Sequence, residues 1–447
     1  MEKIQAISFF FSAECNMQCA YCFTNGGNHA EMAAFNKEIR DSINNGEYIR
    51  KIKDLFENTD RFDSREDILS LGLWGMEPTI NASSFKKFVF EILDYFPNAD
   101  RVFFSTNSWL GSNPLSNIAH DVDEYCLKND RDIELTIQFS LDGPARINDR
   151  TRRIGATDRT IKAYKDLILE CQDIKKALLH LCFKATANGE IYKELLEDET
   201  LLDEFYTMFD ELFDFYEENN KNKQILNAIN YAAPSFAVPD DYSTEDGKNI
   251  AALVRKMKNM DYKKYKHLNH PTYTYLTNFI NDKNPDGRPY DTDWTLYCSS
   301  GVCEHSIDHR GNFYSCHTIF KRGISKTSAE YMDRLDTVNA EENYPILERT
   351  MDLLDLYSDS VYSYFSILCD TYATYGLIDK KYKNSEAEKR KLFVATSYLH
   401  CKSAVADVSG SIYVYAPSLL KAYGNGFIDE ILDYQERIDI LMEEKYK

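Results

Sequence analysis

Ile4-Gln-Ala-Ile-Ser-Phe-Phe-Phe11 runs directly into Ser12-Ala-Glu-Cys15-Asn-Met-Gln-Cys19-Ala-Tyr-Cys22. The first stretch is apolar and strand-sized; the second is a short loop carrying three cysteines. Further apolar or β-branched runs recur at Ile68–Trp74, Arg101–Ser105, Glu134–Ser140, Leu178–Ala185 and Ile225–Tyr231. Helical stretches lie between them, at about Met32–Asn58, Ser83–Phe96, Leu115–Asn129, Asp158–Cys171 and Tyr192–Glu218. This alternation implies right-handed crossovers and a parallel sheet. Several strands read as apolar on both faces, as a sheet covered by helices requires. Six such units predict an α/β fold, a partial (β/α)6 TIM-like barrel; a full eightfold barrel would need two more.

A barrel of this kind carries its working loops at the carboxyl ends of its strands. Cys15–Cys22 follows the first strand, Gly75–Pro78 the second, Asn107 the third and Asp142 the fourth. Four separate motifs thus fall on one face. After Pro234 the pattern changes: residues 240–290 are rich in Lys, Tyr and Asn and read as helices with loops. A second cysteine group at Cys298–Cys316 and a mostly helical tail with Cys369 and Cys401 complete the chain. The expected domains are 1–237, a barrel; 238–296, a helical bridging region; and 297–447, a second cysteine domain with its tail.

Bulk properties narrow the function. The 447 residues carry 52 basic and 72 acidic side chains, a formal charge of −20 that opposes nucleic acid as a partner. The longest apolar runs are too short to span a bilayer, so no membrane association is expected. The amino terminus lacks the basic-then-apolar layout of a secretion signal, which places the protein in the cytoplasm. Disulfides do not persist there, and eleven cysteines in short spacings suit metal ligation better than a disulfide framework. Cys126, Cys171 and Cys182 stand alone and are expected to be inert core thiols.

The C-x3-C-x2-C loop offers three thiolates and leaves a fourth metal position open, which marks a catalytic site rather than a closed structural one. Zinc is the competing ion, but no further His or Cys follows until His29. The loop resembles the hallmark of the radical S-adenosylmethionine (SAM) superfamily. That resemblance implies a 4Fe-4S cluster on Cys15, Cys19 and Cys22, with SAM chelating the open iron. It implies reductive cleavage of SAM to methionine and a 5′-deoxyadenosyl radical, which takes a hydrogen atom from substrate. Tyr21 matches the aromatic position near the adenine. Trp74-Gly75-Met76-Glu77-Pro78 resembles the family's Gly-Gly-Glu-Pro motif, with Gly75 and Glu77 at the SAM ammonium and Met76 replacing a glycine. Ser105-Thr106-Asn107 resembles the Thr-Asn-Gly turn, with Ser108 in place of glycine.

Ser140-Leu-Asp-Gly-Pro144, with Asn148-Asp149 and Arg152, resembles a stretch of sulfatase maturases and peptide-modifying relatives. Ser140 and Arg152 match SAM-contacting positions there; Arg153 is an alternative to Arg152. Cys298-x12-Gly311-x4-Cys316 resembles the opening of the SPASM/twitch extension. Asp308–Cys316 itself reads as a strand, a glycine turn and a return strand. Cys298, Cys303 and Cys316 would then share one auxiliary iron–sulfur cluster, with Cys401 favoured over Cys369 as the fourth ligand. The later SPASM cysteine run is missing, so the extension is twitch-like. His317 stands where sulfatase maturases carry an acidic residue, which argues against that subclass but leaves a His able to transfer a proton.

The resemblance points to a maturase acting on a peptide or protein, reduced by a protein such as flavodoxin or ferredoxin. Its rivals are a small-molecule dehydrogenase and a non-enzymatic metal-binding module. With the first strand starting near residue 4, no leader-binding module is expected ahead of it. Recognition falls to residues 240–290, the tail after Phe320, or a separate protein.

Overall fold

The computed structural model describes residues 6–19, 22, 29–57, 65–187, 189–228, 235–236, 264–265, 304–311 and 313–314. Its elements alternate as the sequence predicts: β1 (Ala6–Ser12), α1 (His29–Asn44), α2 (Glu47–Glu57), β2 (Ser70–Gly75), α3 (Ala82–Tyr95), β3 (Arg101–Thr106), α4 (Asn113–Asn129) and β4 (Glu134–Ser140). Next come α5 (Ala145–Thr151), α6 (Ala156–Glu170), β5 (Leu178–Lys184), β6 (Thr186–Ala187), α7 (Gly189–Glu197), α8 (Glu199–Asn219) and β7 (Ile225–Ala228). Three short strands follow, β8 (Ser235–Phe236), β9 (Glu304–Ile307) and β10 (Phe313–Tyr314).

One sheet runs in the order β10-β9-β1-β2-β3-β4-β5-β7, all parallel except β10. The chain falls into two compact units. The first contains this sheet; the second includes residues 185–211, whose β6 pairs with β8.

Two expected helices are each broken in two. The 32–58 stretch breaks at Gly46, which closes α1 in a left-handed conformation (φ 77°) while Asn45 caps the Glu47 N–H. The 192–218 stretch breaks at Asp198, whose carboxylate accepts from the N–H groups of Thr200 and Leu201 at the start of α8.

The sheet is buried on both faces at β1, where Ser8 and Phe10 lie opposite Ile7, Phe9 and Phe11, but from β3 onward only one face is apolar. Register places Ile7, Leu71, Val102, Leu135 and Leu179 in one row and Phe9, Leu73, Phe104, Ile137 and Leu181 in the next. All ten are buried, on the face that α1, α3 and α6 cover. The opposite face carries Phe103, Thr136 and His180, then Ser105, Gln138 and Cys182, mostly half-buried. That face is the concave interior of an open barrel, where polar side chains keep access to solvent. Beneath the covered face Phe9, Phe11, Tyr48 and Phe88 form an aromatic cluster, with Tyr48 and Phe88 centroids 4.6 Å apart. Each such ring contributes about 1.5–3 kcal/mol through burial.

A hairpin is present as expected but begins earlier, since Asp308–Gly311 is its turn and Glu304–Ile307 its first strand, and it lies on the barrel sheet. β9 pairs with β1 from Ala6↔Glu304 to Phe9↔Ile307. The turn closes with Gly311 (φ 84°) donating to the Asp308 carbonyl. Tyr48 Oη donates to the Ile307 carbonyl at 2.8 Å, and Arg310 forks onto Glu38 at 3.0 and 3.1 Å.

Candidate active site

The loop after β1 is held from two sides. Asn36 on α1 accepts from the Ala13 N–H (3.0 Å) and donates to Glu14 Oε2 (3.2 Å). Asn36 and Asn81 exchange amide hydrogen bonds (2.8 and 3.0 Å), and Asn81 also donates to the Phe11 carbonyl. Both are fully buried. Sequence reasoning missed this pair; the available signal was an asparagine on the apolar face of an amphipathic helix, which burial obliges to find partners. On the other side, Met76 N–H donates to the Ser12 carbonyl (2.9 Å) and Glu77 N–H to the Glu14 carbonyl (3.0 Å). Gly75 allows this approach: its φ is 132°, and a Cβ there would lie 1.9 Å from the Ser12 carbonyl oxygen. Met76 has no left-handed backbone, so the missing second glycine is no obstacle.

Glu77, 1% exposed, knits the strand ends together. One carboxylate oxygen accepts from Thr79 N–H (3.1 Å), Thr79 Oγ1 (2.5 Å) and Thr106 Oγ1 (2.8 Å); the other accepts from the Asn107 N–H (2.7 Å). Burial nevertheless pushes its carboxyl above the usual range. Asn107 then reaches across to the cysteine loop. Its Nδ2 donates to Asn16 Oδ1 (2.8 Å) and toward Cys15 Sγ (3.4 Å), while its Oδ1 accepts from the Trp109 N–H. Ser108 sits at φ 55°, and its hydroxyl is buried without a hydrogen-bond partner. Ser108→Gly is therefore expected to stabilise the protein by about 1 kcal/mol, as a higher urea midpoint at unchanged slope.

The fourth strand delivers Ser140 and then the Asp142 loop. Asp142, wholly buried, takes both the Nε and Nη2 hydrogens of Arg152 at 2.8 Å. Arg152 also lies near enough to Cys19 to favour its thiolate. One edge of the guanidinium expected at the SAM carboxylate is thus committed to Asp142. The neighbouring Arg153 donates to the Asn16 carbonyl at 3.0 Å, within the cysteine loop.

Cys15, Cys19 and Cys22 are half-buried and unbridged. Burial, then the Glu77 charge, pushes the Cys15 thiol up to about 12; burial pushes Cys19 to about 11 despite Arg152. Holding Cys15 and Cys19 as thiolates therefore calls for a strongly cationic centre. Among the described residues, no three His, Cys, Asp or Glu side chains are gathered as one metal ion would need. Zinc draws its sulfurs in with bonds of about 2.3 Å. A four-iron cube instead spreads three thiolates over three irons, so the donor set fits a cluster. Cys126, Cys171 and Cys182 are buried, with burial raising each thiol to about 11 or 12. Tyr21, Cys298, Cys303, Cys316, His317, Cys369 and Cys401 lie outside the described residues.

No family model matches the chain. Over 175 residues it is 27% identical to a radical SAM cyclopropyl synthase, TigE, of Paramaledivibacter caminithermalis. The match takes in 37% of the chain and about a third (34%) of the relative's length. Among solved structures, native anSMEcpe with bound AdoMet is similar at a TM-score of 0.44 and 13% identity, over 94% of this chain and 100% of that chain. The same protein with bound AdoMet and the Kp18Cys peptide gives 0.38 and 14%, over 70% and 74%. Among the described residues, no helix is long and apolar enough to cross a membrane.

Proposed function

We propose that this chain is a radical SAM enzyme that cleaves SAM reductively and abstracts hydrogen from a peptide or protein substrate, as a cytoplasmic maturase. The observation that carries the reading is the convergence of three cysteines, Gly75–Glu77, Asn107 and Asp142–Arg152 at the carboxyl ends of four adjacent parallel strands. Cys15, Cys19 and Cys22 would hold a 4Fe-4S cluster, leaving one iron for the amino and carboxylate groups of SAM. When bound and reduced, that cluster supplies the electron that splits SAM into methionine and a 5′-deoxyadenosyl radical.

The chain's own residues bind and orient. Asn107 Nδ2 and the Met17 N–H both point toward Cys15 Sγ at 3.4 Å, and donors on a ligand sulfur favour the reduced cluster. Glu77 keeps the β2 and β3 loops in fixed relation, and the carbonyls around Gly75 and Glu77 would face the SAM ammonium. Arg152, steadied by Asp142, would offer its remaining donors to the methionine carboxylate. Ser140 would add a hydroxyl, and Tyr21 would lie against the adenine. The polar concave face of the sheet gives the substrate an approach that a sealed apolar core would deny.

Residues 1–237 supply the catalytic barrel in this reading, with β9 and β10 added to its sheet; 238–296 form a bridge, and 297–447 a twitch-like domain whose opening hairpin is that addition. Cys298, Cys303, Cys316 and Cys401 would ligate one auxiliary cluster that accepts an electron or orients the substrate, with His317 moving a proton nearby. The resemblance of residues 139–152 to peptide-modifying enzymes favours a peptide over a small molecule. The test is anaerobic reconstitution with iron and sulfide, followed by mass spectrometry with short peptides encoded beside the gene. Peptide should accelerate 5′-deoxyadenosine formation; faster turnover with small metabolites alone would replace the maturase with a dehydrogenase. Cys316→Ala should retain SAM cleavage without peptide and yield no modified peptide, whereas full product from that variant would remove the auxiliary site.

A further inference from the structure

Between the cysteine loop and the β9–β10 turn stands one stretch of α1 that touches both. Asn36 holds the loop through the Ala13 N–H and Glu14. Its neighbour Phe35 packs on Phe10 of β1, with 5.8 Å between centroids, and meets His309 edge-on at 5.0 Å. Two residues beyond Asn36, Glu38 takes the Arg310 fork and lies 3.0 Å from His309 Nε2. The Arg310 guanidinium also covers the Phe35 ring at 5.5 Å. α2 closes this seat for the turn. Tyr48, wholly buried, shares its one hydroxyl hydrogen between the carbonyls of Ile307 (2.8 Å) and Phe10 (3.3 Å). Lys51 backs the turn so closely that a Cβ at Gly311 would lie 3.2 Å from Lys51 Cβ.

The hairpin is too small to stay in place by strand pairing alone. Its strands have four and two residues and meet β1 at four positions, a marginal arrangement in water. His309 is 2% exposed because Phe35 and Tyr48 cover it while the turn is seated. Seated and unseated turns are therefore two distinct states. Both points of attachment bear on the cysteine loop. The Phe10 carbonyl that Tyr48 ties to β9 stands two residues before Ser12, whose own carbonyl takes the Met76 N–H.

We propose that Tyr48 and Glu38 are positioning residues: by seating the β9–β10 turn on α1 and α2 they hold the cysteine loop in its conformation, and unseating the turn frees the loop. Tyr48 carries the larger share. Its buried hydroxyl serves a carbonyl that would otherwise go unsatisfied, whereas Glu38 is 47% exposed and water screens its ion pairs. The proposal rests on the reading above only in taking this loop as the cluster site, since the seat itself is a property of the metal-free chain.

The experiment alkylates the full-length, metal-free, reduced protein with N-ethylmaleimide and follows each cysteine by mass spectrometry. Cys126, Cys171 and Cys182 are buried outside the seat and report opening of the whole fold. Tyr48→Phe is expected to speed labelling of Cys15, Cys19 and Cys22 about tenfold and to leave those three core cysteines at the wild-type rate. Glu38→Gln, which a half-exposed site tolerates, should speed labelling about two- to threefold at the loop alone. Lys37→Ala removes only an ion pair with Asp41 within α1 and should change nothing. An equal rise at loop and core cysteines would reduce Tyr48 to general stability and overturn the assignment. So would loop rates that neither variant changes, or a Lys37→Ala effect as large as that of Tyr48→Phe. Reconstitution of the same wild-type protein with iron and sulfide separates the two readings: a chain that holds no cluster yet shows the selective labelling would lose the cluster and keep the seat.

Discussion

Cys19→Ala is expected to keep its fold and to form no 5′-deoxyadenosine. The backbone contact that Cys19 makes, accepting from the Cys22 N–H at 2.9 Å, survives in alanine, and the side chain is half-exposed. A stability change within about 1 kcal/mol follows. The loss falls on the metal centre. With two thiolates left in the loop, one more iron loses its anchor and the cube loses the geometry that keeps a single corner open. Wild-type and variant proteins should give matching thermal melts, while the variant loses iron and sulfide after reconstitution and shows no SAM cleavage by chromatography. SAM cleavage at the wild-type rate by the alanine variant would sink the assignment of this loop.

Gly75→Ala should instead damage the fold itself. A Cβ at position 75 would sit 1.9 Å from the Ser12 carbonyl oxygen and 2.8 Å from its carbon, both main-chain atoms. Neither can withdraw without breaking the Met76 N–H bond to that same oxygen. The backbone would also need φ 132° from an L-residue. Strain of this kind costs about 1–3 kcal/mol, and loss of the clasp adds about 1 more. A total of about 2–4 kcal/mol is expected, read as a lower urea midpoint or a collapse in soluble yield. A variant within about 0.5 kcal/mol of wild type would show that the β1 and β2 loops do not depend on this approach.

The six strands were legible because each is a short stretch rich in apolar residues that alternates with helical segments, and each is placed within a few residues of its expected ends. Their single apolar face was harder to see. Phe103 and Trp74 are large and apolar yet line the concave side, where they are half-buried. The breaks at Gly46 and Asp198 had local signals, a left-handed glycine and a capping carboxylate, that the long apolar periodicity masked. The motif loops were legible as residue types at strand ends. What they do to one another was not: that Glu77 serves Thr79, Thr106 and Asn107, and that Arg152 is tied to Asp142, are facts of packing between distant strands. The Asn36–Asn81 pair and the β1–β9 pairing lie further out of reach, since no spacing in the chain announces a contact between remote segments.

That last pairing carries a consequence for biosynthesis. β1 and β9 are neighbours in the sheet, yet about 300 residues separate them in the chain. At a ribosomal pace of about 5–20 residues per second, the flank of β1 that will receive β9 waits roughly 15–60 s for it. Throughout that interval a nascent chain exposes a hydrogen-bonding edge next to its cysteine loop, the kind of edge that recruits stray strands. Late arrival of residues 304–307 makes completion of the sheet a checkpoint on the finished polypeptide.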